Sequence, residues 1–340
     1  MEKHDQEFLD KHLSGSRSLQ NLYQAIQADM DKVEAELKVF TESPNKIISE
    51  ISEYLFHRSG KRIRPALVML CAKLYGYQGE EHIILSSLVE TIHTASLLHD
   101  DIIDNSDQRR GRDTVHTRWG PNITVLLGDY LYIKTIGLSL NSSRQEFIKI
   151  LTEVSTRMIE GELQEYYVIG NLDLVEDAYL DIIDKKTAAL FSASCHIGAL
   201  LGNASQAEQQ ILAEYGTTIG MAFQIIDDLL DYSGDADSLG KPVLSDIAEG
   251  RITLPLIYTL KNDGQNNRDR LSELYNSQEL DNSAKAEILE IVRSNGALDY
   301  TFQKAREYTQ KSQELLEIFP DSVYRDSLAL LPEFILTRNK

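Results

Sequence analysis

The chain has 340 residues, 42% of them hydrophobic, enough to bury a sizeable core in one large domain or two smaller ones. Its 53 acidic and 34 basic residues leave a formal net charge of −19, which argues against nucleic acid or an anionic membrane surface as the main partner. Any anionic ligand must therefore meet a local cluster of basic side chains.

The amino-terminal stretch "MEKHDQEFLDKHLSGSRS" mixes acids and bases and holds no apolar run long enough for a signal peptide. No segment approaches the ~18 uninterrupted apolar residues of a membrane span. The expectation is a soluble, cytoplasmic protein. Apolar residues recur three and four apart through most of the chain, and β-type alternation is scarce, so the fold class is all-α, with ten or more helices. Breaks fall at Gly76, 105–122, 141–143, Gly170-Asn171, Gly202-Asn203, 233–242, 262–267 and Asn295-Gly296. None resembles a long interdomain linker. A helical segment over 1–39 is expected to pack on a single main domain over 40–340. Cys71 and Cys195 sit in apolar contexts without metal-ligand spacing and read as reduced core residues.

The first chemical signal is "RSGKRIRP" (58–65), which gathers Arg58, Lys61, Arg62 and Arg64 between a turn glycine and a helix-starting proline. Beyond it lie helices without a polar face: "PALVMLCAKLYG" (65–76), "HIILSSLVETIHTASLLH" (82–99), "TAALFSASCHIGALLG" (187–202) and "GMAFQIIDDLL" (220–230). Helices apolar on nearly all sides are buried on all sides, so these form an inner layer wrapped by the more charged first and last helices.

Two of those helices end in aspartates. "LLHDDIID" (97–104) brings Asp100, Asp101 and Asp104, and "QIIDDLLD" (224–231) brings Asp227, Asp228 and Asp231. Like charges four apart on a helix cost roughly 0.2–0.5 kcal/mol per pair, so the repetition needs a reason. A lone DDxxD reads as readily as a helix end running into solvent. The second copy favours a site: facing carboxylates suit a hard cation such as Mg²⁺, which typically takes one or two carboxylates, waters and phosphate oxygens. A diphosphate bridging the motifs through Mg²⁺ turns the repulsion into function. Stepping back from Asp104 and Asp100 along the helix gives Ser96 and then His93 on the same stripe. Arg109, Arg110 and Arg112 follow in "DQRRGR" (107–112), Lys186 precedes the apolar run starting at Thr187, and Lys241 sits in a Gly-Lys-Pro turn after the second motif. Taken singly these basic residues read as solvated charge or snorkelling stems; beside the aspartates they are candidate phosphate contacts.

Together, "GKRIRP", "LLHDDIID", "RRGRDTVH", "KKTAALF", "FQIIDDLLD" and "LGKPVLSDIAEGRITLP" give a chain that, from about residue 40 onward, resembles the trans-isoprenyl (polyprenyl) diphosphate synthases. The resemblance implies an isoprenoid-synthase fold around a deep central cavity, a homodimer, and condensation of isopentenyl diphosphate with an allylic diphosphate. Carried over residue by residue, Asp100, Asp104 and Asp227 are the principal ligands of three Mg²⁺ ions, with Asp101, Asp228 and Asp231 beside or behind them. Arg109, Lys186 and Lys241 contact the allylic diphosphate. Lys61, Arg64, His93 and Arg110 form the isopentenyl diphosphate site, and Thr187 and Gln224 lie near the reacting carbons. Ala95 and Ser96, five and four residues before Asp100, form the floor beneath the growing chain; family members making short products tend to hold an aromatic there. Both are small here, which implies geranylgeranyl or a longer, heptaprenyl-like product. Two departures from the family's commoner letters, Val243-Leu244-Ser245 and Arg251, are expected to stand away from the reacting groups. A terpene cyclase of the same fold would need no isopentenyl site and usually has a different second metal motif. A partner subunit of a heteromeric synthase would be expected to lose aspartates or basic residues, and none is missing.

Overall fold

Helices take up most of the chain in the computed structural model, which describes residues 19–39, 42–56, 60–109, 111–142, 144–233, 244–262, 264–275 and 281–338. In chain order they are α1 (Leu19–Tyr23), α2 (Gln27–Val39), α3 (Lys46–Phe56), α4 (Ile63–Leu74) and α5 (Glu81–Ile103). Then come α6 (Val115–Trp119), α7 (Pro121–Ser139), α8 (Gln145–Tyr167), α9 (Glu176–Ile183), α10 (Ala189–Leu201) and α11 (Gln206–Ser233). The last are α12 (Ser245–Ala248), α13 (Leu254–Asn262), α14 (Gln265–Tyr275), α15 (Asn282–Ser294), α16 (Ala297–Leu316) and α17 (Val323–Thr337).

The runs without a polar face form the interior. α4 buries nearly every residue from Ile63 to Ala72, and α10 buries all but three of its thirteen. α11 packs on α10 and α16, α10 on α4, and α5 on α7. Each leucine or isoleucine taken fully out of water contributes about 1.5–3 kcal/mol, so these all-round apolar helices are stable only at the centre. The helices before residue 40 add Leu22, Ile26, Met30, Val33 and Leu37 to the same core. Arg62 clamps them in place: its guanidinium donates to Glu34 on α2 at 2.6 Å and to Glu90 on α5 at 2.7 Å.

The stretch 105–122 is more ordered than a loop. Gln108–Arg109 and Arg112–Asp113 form a two-residue antiparallel hairpin, which Gly111 closes at φ +72°, and the short α6 follows. The all-α expectation thus acquires one small hairpin, placed directly after the first aspartate motif.

Candidate active site

Three elements meet at the polar end of the inner layer: the last turn of α5, the last turns of α8, and a π-helical turn at Asp184–Ala188 between α9 and α10. The π turn carries Lys186 and Thr187, and such turns often sit at functional sites because they re-aim side chains out of helical register. Two glycines let it be there. A Cβ on Gly161 of α8 would lie 2.6 Å from the Lys186 nitrogen, and one on Gly220 of α11 would lie 2.5 Å from the Ala188 Cα. Neither position has room for a side chain.

Lys186 Nζ pairs with Glu162 at 2.7 Å and with Glu165 of α8. Burial opposes its charge, but Glu165, Glu162 and Asp100 outweigh burial and hold the ammonium firmly protonated. Arg251 reaches the same place from the far side. It pairs with Asp104, lies 3.4 Å from Glu165, and is anchored to Glu249 at 2.7 Å. Asp100 faces Glu162 and Lys186; its carboxyl is pushed up to about 7, first by burial and then by Glu162. Tyr132 of α7 stands by Asp100 and Glu162, its phenol raised by burial and then by those carboxylates.

The six motif aspartates divide by exposure. Asp100, Asp104 and Asp227 are partly open, whereas Asp101, Asp228 and Asp231 are buried. Asp101 accepts from Arg109 Nε at 2.5 Å. Asp228 accepts from Tyr179 at 2.6 Å and from the Gln224 amide at 2.8 Å, and that amide's oxygen receives the Thr187 hydroxyl at 2.8 Å. Asp231, expected among the metal-binding aspartates, instead receives the Ser245 hydroxyl at 2.8 Å and the backbone N–H groups of Ser245 and Asp246 at 3.2 and 3.1 Å. Both its oxygens thereby start α12. Among the described residues no three carboxylate or imidazole groups gather closely enough to hold a metal by themselves.

The basic residues occupy two places. His93 and Arg109 line one cavity of about 130 Å³ with Asp101, Glu90, Arg62 and Tyr54. His93 lies beside Leu97 and Asp101 in that lining, and Ser96 turns back to donate to the His93 carbonyl. Lys61 and Arg64 point elsewhere: Lys61 Nζ lies 5.4 Å from the Phe334 ring centre, and the Arg64 guanidinium lies 4.4 Å above Phe191. Phe191 packs on Phe223, 5.4 Å between centroids, and Arg338 stacks on Phe223 at 3.8 Å while donating to Asp227 at 3.1 Å. Ala95 is fully enclosed with Ile51, Leu98, Leu127 and Leu131, where α5 packs on α7. Arg110, Lys241, Arg58 and Val243 lie outside the described residues.

Several partners here had no sequence signal. Glu162 and Glu165 look like the solvent face of an amphipathic helix, and Tyr179 and Tyr132 like ordinary core aromatics. Arg251, expected to stand away from the reacting groups, instead touches Asp104 across 147 positions. Its chain neighbours gave no hint of that return.

An all-helical protein with open aspartates facing buried lysine and arginine groups across its interior belongs to the class of enzymes that handle anionic, phosphorylated substrates in an apolar shell. Residues 45–292 match the polyprenyl synthetase family. The octaprenyl diphosphate synthase of Haemophilus influenzae is 34% identical over 322 residues, 95% of this chain and 98% of that protein. A crystallised polyprenyl synthase from Caulobacter crescentus, complexed with calcium and isoprenyl diphosphate, aligns with a TM-score of 0.91 at 33% identity, covering 96% of this chain and 99% of that one. A decaprenyl diphosphate synthase from Rhodobacter capsulatus aligns with a TM-score of 0.90 at 34% identity, over 95% and 100% of the two chains. The chain belongs to the polyprenyl synthetase family, has the isoprenoid-synthase fold, and is a prenyltransferase.

Proposed function

We propose that the protein is a Mg²⁺-dependent trans-polyprenyl diphosphate synthase, joining isopentenyl diphosphate to dimethylallyl, geranyl or farnesyl diphosphate and releasing a geranylgeranyl or longer all-trans product. The observation that carries this reading is the junction of Asp100, Asp104, Glu162, Glu165, Lys186 and Arg251, four carboxyl groups around two cations at the end of the inner helices. Relatives named as octaprenyl and decaprenyl synthases support a long product.

The donor set fits Mg²⁺. Asp100, Asp104 and Asp227 have oxygens within reach of solvent, and a hard cation sharing coordination with substrate phosphate needs only one or two such carboxylates. These three would hold the three ions expected, with Asp101 and Asp228 behind them. When bound, the ions stabilise the charge that develops on the leaving diphosphate. Lys186, kept protonated by Glu162 and Glu165, adds a fixed positive charge at the same place, and Arg109, braced by Asp101, adds another. The allylic C–O bond breaks, its electron pair leaving with the diphosphate. The isopentenyl double bond then attacks the allylic carbon, and a proton passes to the released diphosphate, leaving a new allylic diphosphate. Thr187 and Gln224 face the reacting carbons, and the buried apolar helices keep water from the cation.

We read the outer face of α7 as the surface that meets a second copy. Leu126 and Ile133 of α7 and Leu140 just after it recur every seven residues and are 68%, 74% and 65% exposed, and Leu163 and Tyr167 of α8 are exposed as well. No helix among the described residues is long and apolar enough to cross a membrane.

Steady-state kinetics test the assignment of the two substrate sites. Lys61→Ala and Arg64→Ala are expected to raise KM mainly for isopentenyl diphosphate, and Lys186→Ala to disturb mainly the allylic substrate. The reverse pattern would show the sites to be exchanged.

A further inference from the structure

Behind Thr187 runs a buried chain of hydrogen bonds, Thr187 to Gln224 to Asp228 from Tyr179, with lengths of 2.8, 2.8 and 2.6 Å. Its members come from three elements: Tyr179 from α9, Thr187 from the π turn, and Gln224 and Asp228 one turn apart on α11. Tyr179 and Asp228 are 3% and 4% exposed, so water cannot substitute for either.

The direction of every bond in this chain follows from its closed end. The Gln224 Nε2 stands 2.8 Å from one Asp228 oxygen and can only donate to it, and the Tyr179 hydroxyl donates to the other at 2.6 Å. That fixes the Gln224 amide, whose two ends are otherwise interchangeable, with its oxygen towards Thr187. Thr187 must then give its only hydrogen to Gln224. The hydroxyl's lone pairs remain for whatever stands on its other side.

We propose that Asp228 and Tyr179 are positioning residues which set the polarity of Thr187, so that it presents an electron-rich oxygen and not a hydrogen to the allylic cation. The inference rests on the reading of Thr187 and Gln224 as facing the reacting carbons. Asp228, within the second aspartate motif, thus acts through two other side chains and not as a metal ligand. A hydroxyl turned the other way would aim its positive end at a developing positive charge, in a shell where few waters can reorient to compensate.

Asp228→Asn tests this because it keeps shape while adding a donor. With its oxygen accepting from Tyr179, the new amide NH₂ faces Gln224, which must flip to offer its oxygen; its NH₂ then points at Thr187 and reverses the hydroxyl. We expect kcat to fall about a hundredfold while KM for both diphosphates stays within roughly threefold. Asp228→Asn combined with Gln224→Glu restores an acceptor beside Thr187 at unchanged net charge, and is expected to recover at least about tenfold of the lost kcat. Tyr179→Phe leaves Gln224 oriented by the second Asp228 oxygen and is expected to cost only about three- to tenfold. Thermal melting of each variant identifies any that fails to fold, and a folded Tyr179→Phe enzyme decides the matter if Asp228→Asn does not fold. A folded Asp228→Asn enzyme with wild-type kcat, a double variant no faster than the single one, or a Tyr179→Phe enzyme indistinguishable from wild type would overturn the proposal. Wild-type enzyme that elongates no allylic diphosphate in the same assay would refute the functional reading instead.

Discussion

The two DDxxD motifs are spelled alike and built differently. At the end of α5, two of the three aspartates are partly open, Asp104 pairing with Arg251, while Asp101 is buried against Arg109. On α11 only Asp227 is partly open; Asp228 is taken by Tyr179 and Gln224, and Asp231 by the start of α12. The difference follows from where each helix stops. α5 ends at Ile103, so Asp100 and Asp104 stand at the helix end, where Lys186 and Arg251 reach them. α11 continues to Ser233, past its motif, so Asp228 and Asp231 fall on the side packed against α9 and α12. Position within a buried helix therefore decides whether an aspartate stays partly open or becomes a strut.

Breaking the open aspartates should give the largest effect. Asp100→Ala and Asp227→Ala are each expected to lower kcat by about a thousandfold with the fold intact, since each removes stabilisation that matters only as the diphosphate departs. Steady-state assays alongside circular dichroism check this. Asp231→Ala should behave in the opposite way. It strands the buried N–H groups of Ser245 and Asp246, so denaturant unfolding should show a loss of about 2–4 kcal/mol while kcat of the folded fraction stays within roughly tenfold of wild type. A dead but stable Asp231→Ala enzyme would show that the two motifs are more alike than their hydrogen bonds imply.

A smaller effect is tied to pH. Asp100 has its carboxyl pushed up to about 7, while the unfolded chain titrates near the ordinary value of 3.8. The folded state therefore holds an extra proton between those limits, and this contribution to stability is present at low pH and fades as pH rises through about 7. Mg²⁺ needs the ionised form, so its binding must release that proton on the acid side. The rise in melting temperature on adding Mg²⁺ should grow from pH 5 to pH 8, and affinity should weaken by up to tenfold per unit below about 7. Calorimetry in buffers of different ionisation enthalpy counts the released proton. Asp100→Asn should remove much of the dependence.

Much of this could be read from the letters alone. The inner helices are recognisable because they lack any polar face, and the motifs because aspartates end two of them. The open members, Asp100, Asp104 and Asp227, are those that the family resemblance put forward as ligands. Other features depend on contacts between segments far apart in the chain. Nothing local says that Gly161 admits a π turn beside α8, that Glu162 and Glu165 turn inward to Lys186, or that Arg251 returns to Asp104. His93 shows the limit of helical counting: its stripe through Ser96, Asp100 and Asp104 gives no sign that it also lines a cavity with Tyr54, Asp101 and Arg109.

The smallest predicted change concerns chain length and again compares neighbours on one helix. Ala95 is sealed between α5 and α7, so adding bulk there strains the packing. Ser96 is partly open and stands a turn below Asp100, about 6 Å along the axis. Ser96→Phe should shorten the main product by one or more isoprene units with Mg²⁺ dependence unchanged, as chromatography of the dephosphorylated products would show.

The central claim is that the two unequal motifs of this chain together ionise an allylic diphosphate for repeated extension. Its most direct test is to incubate the purified protein alone with Mg²⁺, farnesyl diphosphate and labelled isopentenyl diphosphate, and to size what forms. The account predicts a ladder of all-trans products of geranylgeranyl length or longer, abolished by chelator. Turnover persisting in excess chelator, cyclic hydrocarbons formed without isopentenyl diphosphate, or extension only after a second protein is added would contradict it.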